Sequence, residues 1–117
     1  MPLYGAIATS MSSGERLALL DDENLDNAAQ TMAVEFAPQP SGGAIPVAVV
    51  NETAQVVTVQ HSLDGGYTWE LVVSEYNQPM TIPANSSQRA NLAPCGFYRV
   101  ANLSGSNIVT GTIWIGR

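Results

Sequence analysis

Apolar residues in this chain recur at every second position in short runs, and turn-forming residues separate the runs roughly every ten positions. That rhythm limits the fold more than any other feature. A period of two puts successive side chains on opposite faces of an extended chain, whereas a helix repeats near 3.6. Met32, Val34 and Phe36 alternate with Ala33 and Glu35. Pro38, Pro40, Ser41, Gly42 and Gly43 then break the chain. Residues 45–50 (IPVAVV) are apolar at every position, as an inner strand would be, and Asn51, Glu52 and Thr53 form a turn. Residues 55–61 put Val57 and Val59 on one face, with Val56, Thr58 and Gln60 on the other. Residues 67–74 align Trp69, Leu71 and Val73. Residues 80–83 suit a short edge strand, because Pro83 cannot donate to a ladder. Residues 96–103 and 107–115 complete the set, the last bent or bulged at Gly111. Helical periodicity is absent after Gln30. The expectation is an all-β domain over residues 30–117, a small antiparallel sandwich of about seven strands, jelly-roll or immunoglobulin-like.

The first 29 residues differ. A short helical turn could form around Leu17, Leu19 and Leu20, but Asp21, Asp22, Glu23 and Asp26 follow without basic partners and repel one another. Residues 1–29 therefore suggest a partly flexible arm, ordered where it lies on a partner. Its candidate contact residues are Leu3, Tyr4, Ile7, Leu17, Leu19 and Leu20. Trp114 joins them, because it points away from both Ile113 and Ile115 in a strand. Such an arm should be removable without unfolding the sandwich.

Charge narrows the range of partners. Only 12% of the residues are charged, Lys is absent, and the net charge is −6. The cations are Arg16, Arg89, Arg99 and Arg117. No basic stripe can be assembled to neutralise phosphates, which argues against nucleic acid and against an anionic membrane surface. A weakly charged surface suits a protein packed against neighbours. Cys95 is alone, so neither an internal disulfide nor a thiolate cluster is available. No cofactor is expected. Met1–Ser13 lacks the basic and apolar regions of a signal peptide, so folding in a cytoplasm is expected.

The sharpest motif is Ser62-Leu63-Asp64-Gly65-Gly66-Tyr67-Thr68-Trp69. Asp64 can accept backbone N–H groups in a turn that Gly65 and Gly66 make possible, with Trp69 packing beneath. His61 and Ser62 adjoin it, but neighbours in a strand face opposite ways, so a catalytic pair is not implied. Three Asn-x-Ser/Thr triplets begin at Asn51, Asn85 and Asn102, and all three fit turns. The eight-residue motif resembles the Asp-box hairpin of sialidases and related β-propellers. One copy in 117 residues is too little for a propeller, so the resemblance implies a structural hairpin and no catalysis.

A second resemblance covers about half the chain. VVTVQHSLDGGYTWELV, the IPANSS turn and APCGFYRVANLSG are similar to small sandwich modules of tailed-bacteriophage virion proteins. The combination of arm and sandwich is similar to capsid decoration, or cement, proteins. This implies a structural protein on the capsid exterior that binds the major capsid protein and associates with itself, three copies being the first expectation. The alternative is a carbohydrate- or receptor-binding module of a tail or fibre, resting on the aromatic residues and the Asn- and Gln-rich turns.

Overall fold

The computed structural model describes residues 7–73, 78–93 and 96–117. Ten strands run in chain order: β1 (Ile7–Met11), β2 (Arg16–Leu20), β3 (Ala33–Phe36), β4 (Ile45–Asn51), β5 (Val57–Ser62), β6 (Glu70–Leu71), β7 (Thr81–Ile82), β8 (Ser86–Leu92), β9 (Phe97–Ala101) and β10 (Ile113–Gly116). Among the described residues there is no helix. One sheet has the order β1-β3-β9-β5-β6, with β7 also on β5; the other has the order β2-β10-β4-β8. The pairs are antiparallel except β1 with β3, which are parallel. The all-β expectation holds, with two sheets and more strands than the seven expected.

Alternation explains the core. β4 buries Ile45, Val47 and Val49 while Pro46, Ala48 and Val50 lie on its other face, so this inner strand is covered on one side and not on both. Val57 and Val59 of β5, and Tyr98 and Val100 of β9, face the same interior. With Ile113 and Ile115 of β10 they form one cluster fed by both sheets. Burying such a side chain contributes about 1.5–3 kcal/mol.

Residues 7–29 do not form one detachable arm. β1 pairs with β3, and β2 pairs with β10. The helical turn expected around Leu17, Leu19 and Leu20 is a strand. Its pairing skips a residue: Ile113 lies opposite Leu20, and Trp114 lies opposite Ala18. This β-bulge lets two adjacent leucines, Leu19 and Leu20, both turn inward, which strict alternation forbids. Leu25, after the acidic run, is buried through a bridge to Ile108. Leu19 and Leu20, proposed for a partner's surface, are therefore part of the chain's own core, and Leu17 packs against it.

Other boundaries move as well. The strand expected at 67–74 shrinks to β6 and an isolated bridge between Val73 and Pro79, because the preceding residues belong to a turn. Leu71 and Val73 stay exposed there. β8 was not expected. Its sequence, SSQRANL, is polar because it forms an edge with one face in water, yet it pairs with β4 over seven residues. The run 107–115 is strand only from Ile113; Gly111 lies before it, where a Cβ would come within 2.6 Å of Thr53 Cγ2.

Two corners carry the chain between the sheets. Asn51 ends β4, and Asn102 follows β9; both are fully buried. Asn51 Oδ1 accepts from Thr53 N at 3.0 Å and Thr53 Oγ1 at 2.6 Å, while its Nδ2 donates to the carbonyls of Gln55, Ile82 and Pro83. Asn102 repeats the arrangement. Its Oδ1 accepts from Ser104 N and Oγ, and its Nδ2 donates to Leu25 O at 3.0 Å and Ser106 O at 2.8 Å. These two asparagines serve through their side chains. Asn85, at φ 51°, is the one of the three triplet asparagines in the left-handed region.

Replacing Asn51 or Asn102 by Ala strands several buried carbonyls. Each unsatisfied group costs about 1–3 kcal/mol. Either variant should show a clear fall in the urea midpoint, with Ser87→Ala on the exposed edge as a neutral control. Deleting residues 1–29 should abolish the cooperative thermal transition, because it removes β1, β2 and three buried leucines, Leu19, Leu20 and Leu25; a sharp melt near the wild-type temperature would contradict the pairing described here.

Candidate functional site

The hairpin between β5 and β6 is built around Asp64. Its Oδ1 accepts from Ser62 Oγ at 2.8 Å, Tyr67 N at 3.1 Å and Thr68 N at 2.9 Å, and its Oδ2 accepts from Thr68 Oγ1 at 2.5 Å. Gly65 and Gly66 take φ of 79° and 94°, which L side chains rarely adopt. Ser62 is buried at the strand end, and its Oγ also accepts from Gly66 N at 2.8 Å. Trp69 closes the base, its Nε1 donating to Gly66 O at 3.1 Å. Arg99 lies over the Trp69 ring at 3.9 Å and donates from Nε to Gln60 Oε1 at 2.7 Å. All six residues expected in the hairpin, Ser62, Asp64, Gly65, Gly66, Thr68 and Trp69, take part.

The tight turn throws two side chains outward. Leu63 is 70% exposed and Tyr67 is 74% exposed. Their backbone is held by the Asp64 network, so they stand as preset apolar contacts. A hollow of about 250 Å³ beside them is lined by His61, Leu63, Asp64, Thr68 and Glu70. The His61 ring stacks on Tyr98 with centroids 4.4 Å apart and planes 8° off parallel. Ser62 gives its proton to Asp64, so its hydroxyl is engaged on both sides within the turn. Among the described residues, no group of three or more His, Cys, Asp or Glu is placed to hold a metal.

The interface residues expected from sequence divide three ways. Leu3 and Tyr4 lie outside the described residues, and Ile7 begins β1. Leu17 is half-buried against the core, with Leu19 and Leu20 inside it. Trp114 faces outward as expected, between buried Ile113 and Ile115, but its own chain covers it. The Arg16 guanidinium lies 3.9 Å from the ring centroid, and Trp114 Nε1 donates to Glu52 Oε1 at 2.7 Å.

Next to Trp114 lies a feature that no sequence motif announced. A row of register partners crosses the outer face of the four-stranded sheet: Arg16 on β2, Gly116 on β10, Ala48 on β4 and Arg89 on β8. Two small residues thus lie between two arginines. With neighbouring strands about 4.8 Å apart, the two arginine backbones stand about 14 Å apart. Arg117 joins them around an open groove of about 650 Å³. Register pairing of distant strands makes this row, so spacing in the sequence could not reveal it. No family model, curated protein or solved structure matches this chain.

The Asp64 network has a measurable signature. Hydrogen bonds from the Thr68 hydroxyl and then the Thr68 amide, with smaller help from Ser62 and Tyr67, hold its carboxyl down to about 2, against some loss of hydration. A depressed carboxyl stabilises the fold above its unfolded value, near 3.8, and that contribution fades as pH falls toward 2. Asp64→Asn should therefore melt below the wild type at pH 7, and the gap should narrow as the pH falls from 4 to 2. Parallel melting curves with a constant gap across that window would count against the network.

Proposed function

We propose that this chain is a structural subunit of a bacteriophage particle, a decoration protein that docks on the major capsid protein without catalysing a reaction. Its architecture is read as a small β-sandwich. The observation that carries the proposal is the Asp64 hairpin: a carboxylate network is spent on holding Leu63 and Tyr67 rigidly in water. A preset aromatic anchor loses little entropy on docking and suits the centre of a protein interface. The engagement of the Ser62 hydroxyl within its own turn, and the stacking of His61 on Tyr98, support a structural rather than a chemical use of this cluster. The low charge of the chain and its likeness to phage sandwich modules supply the partner. Any remaining arm contact falls on Leu3 and Tyr4, since Leu19 and Leu20 are core.

Co-sedimentation with purified capsids tests this. The wild type should pellet with the particles, and Tyr67→Ala should lower capsid affinity at least tenfold while its melting temperature stays unchanged. A chain that never pellets with capsids, or a Tyr67→Ala variant that binds as the wild type does, would remove the reading. The carbohydrate-binding alternative rests on exposed Tyr67 and gains nothing from Trp114, whose ring carries Arg16. Binding to a glycan array without capsid binding would favour it.

A further inference from the structure

We infer that the arginine groove on the four-stranded sheet receives the acidic end of a second copy of this chain, joining copies head to tail. The inference stands apart from the capsid reading, which uses the hairpin tip.

The first observation is how few cations there are. The chain has four, all arginines, and Arg99 is buried against Trp69. The other three, Arg16, Arg89 and Arg117, line one groove together with Glu15; Arg16 rests on Trp114 and Arg117 donates to Met11 O, so Arg89 is the guanidinium most open to a partner. Any carboxylate on a partner finds a cation there and nowhere else among the described residues. The Arg89 side chain is exposed, and among the described residues its guanidinium makes no hydrogen bond. Gly116 and Ala48 leave room between the guanidiniums; a Cβ at Gly116 would meet nothing within 4 Å. Guanidinium forks bind carboxylates in pairs of hydrogen bonds, which gives direction as well as attraction.

The second observation is the placement of the acids. Asp21, Asp22, Glu23 and Asp26 follow β2, and Glu52 follows β4. Five of the ten carboxylates thus gather where Leu20, Ile113 and Asn51 meet, at the opposite end of the same sheet from Arg16 and Gly116. The loop that carries them is fixed in place. Asp22 Oδ1 accepts from Thr110 Oγ1 at 2.8 Å, Glu23 N donates to Gly111 O at 3.1 Å, and Asn27 Oδ1 accepts from Gly105 N at 3.0 Å. The side chains of Asp21 and Asp26 are exposed. One copy therefore carries an acidic loop at one end of the sheet and a basic groove at the other; Glu52 alone bridges toward the groove, its Oε1 accepting from Trp114 Nε1 beneath Arg16.

Complementary patches at different places on one molecule make a heterologous contact, which closes into a ring or runs on as a filament. The groove opens off the sheet face and the acidic loop projects off the sheet end. A foreign polyanion is a poorer fit: the net charge of −6 repels it, and three cations neutralise little of a nucleic acid.

The test uses the full chain in sedimentation velocity, without capsids, from about 1 to 200 µM at low salt. The wild type should gain mass with concentration, and raising the salt well past physiological strength should weaken that gain, as screening requires. Arg16→Glu with Arg89→Glu should stay monomeric with an unchanged circular dichroism spectrum. Asp21→Arg with Asp26→Arg should do the same. Each variant repels its own copies, but mixing the two presents opposite charges at both cross-contacts, so assembly should return in the mixture; it should return as well in the chain carrying all four substitutions, where the charges are swapped. A wild type that is monomeric throughout the range overturns the inference, as does an arginine variant that assembles normally. A monomer that binds a poly-glutamate peptide through Arg89 also overturns it, by giving the groove to a foreign acidic partner. None of these outcomes bears on capsid binding by Tyr67.

Discussion

A chain that passes repeatedly from one sheet to another leaves backbone carbonyls inside the protein with no neighbouring strand to answer them. Water cannot reach them, and an unanswered carbonyl costs more than most single side-chain contacts return. Here the solution is one side chain used twice. The amides of Asn51 and Asn102 each bridge their own corner to a distant segment, the strand β7 in one case and the loop at Leu25 in the other. The following Thr53 or Ser104 fixes the amide's orientation through its hydroxyl. Each corner thus sets the angle at which the chain leaves one sheet and the distance at which the other sheet lies. The apolar core fills the gap that these corners define.

The same economy of polar groups shapes the surface. Few charges are present, and those that occur are sorted by place: a carboxylate that locks a hairpin, a loop of acids at one end of a sheet, arginines across its outer face. Sorting of this kind comes from strand register. Arg16 and Arg89 are 73 positions apart in sequence (89 less 16) and become neighbours of one row because β10 and β4 lie between their strands.

Much of the fold could be read from the residues alone. Alternation marked β3 and β5, an apolar run marked β4, and the Ser62 to Trp69 motif gave a hairpin in which Asp64, Gly65, Gly66 and Trp69 act as expected. What escaped has physical causes. Leu19 and Leu20 looked like a helical or arm segment because adjacent buried leucines break the period of two, and a bulge that permits them leaves no sequence mark. β8 escaped because an edge strand needs only Ala90 and Leu92 to face inward, leaving the rest polar. The asparagine corners were recognised as turns, yet their burial depends on segments thirty or more residues away. The arginine row was invisible for the same reason: it exists only once the register is set.

The position of β10 between β2 and β4 has a further consequence for synthesis. Of all the strands, β10 emerges last from the ribosome, and until it does β2 and β4 have nothing to join them. The nascent chain must hold two open edges, one of them the apolar β4, while the remaining strands are made. Pairings across most of the chain length also close slowly, since loop entropy is lost before contacts return it. How long those edges stand open then decides how much chain reaches the finished sheet rather than an aggregate.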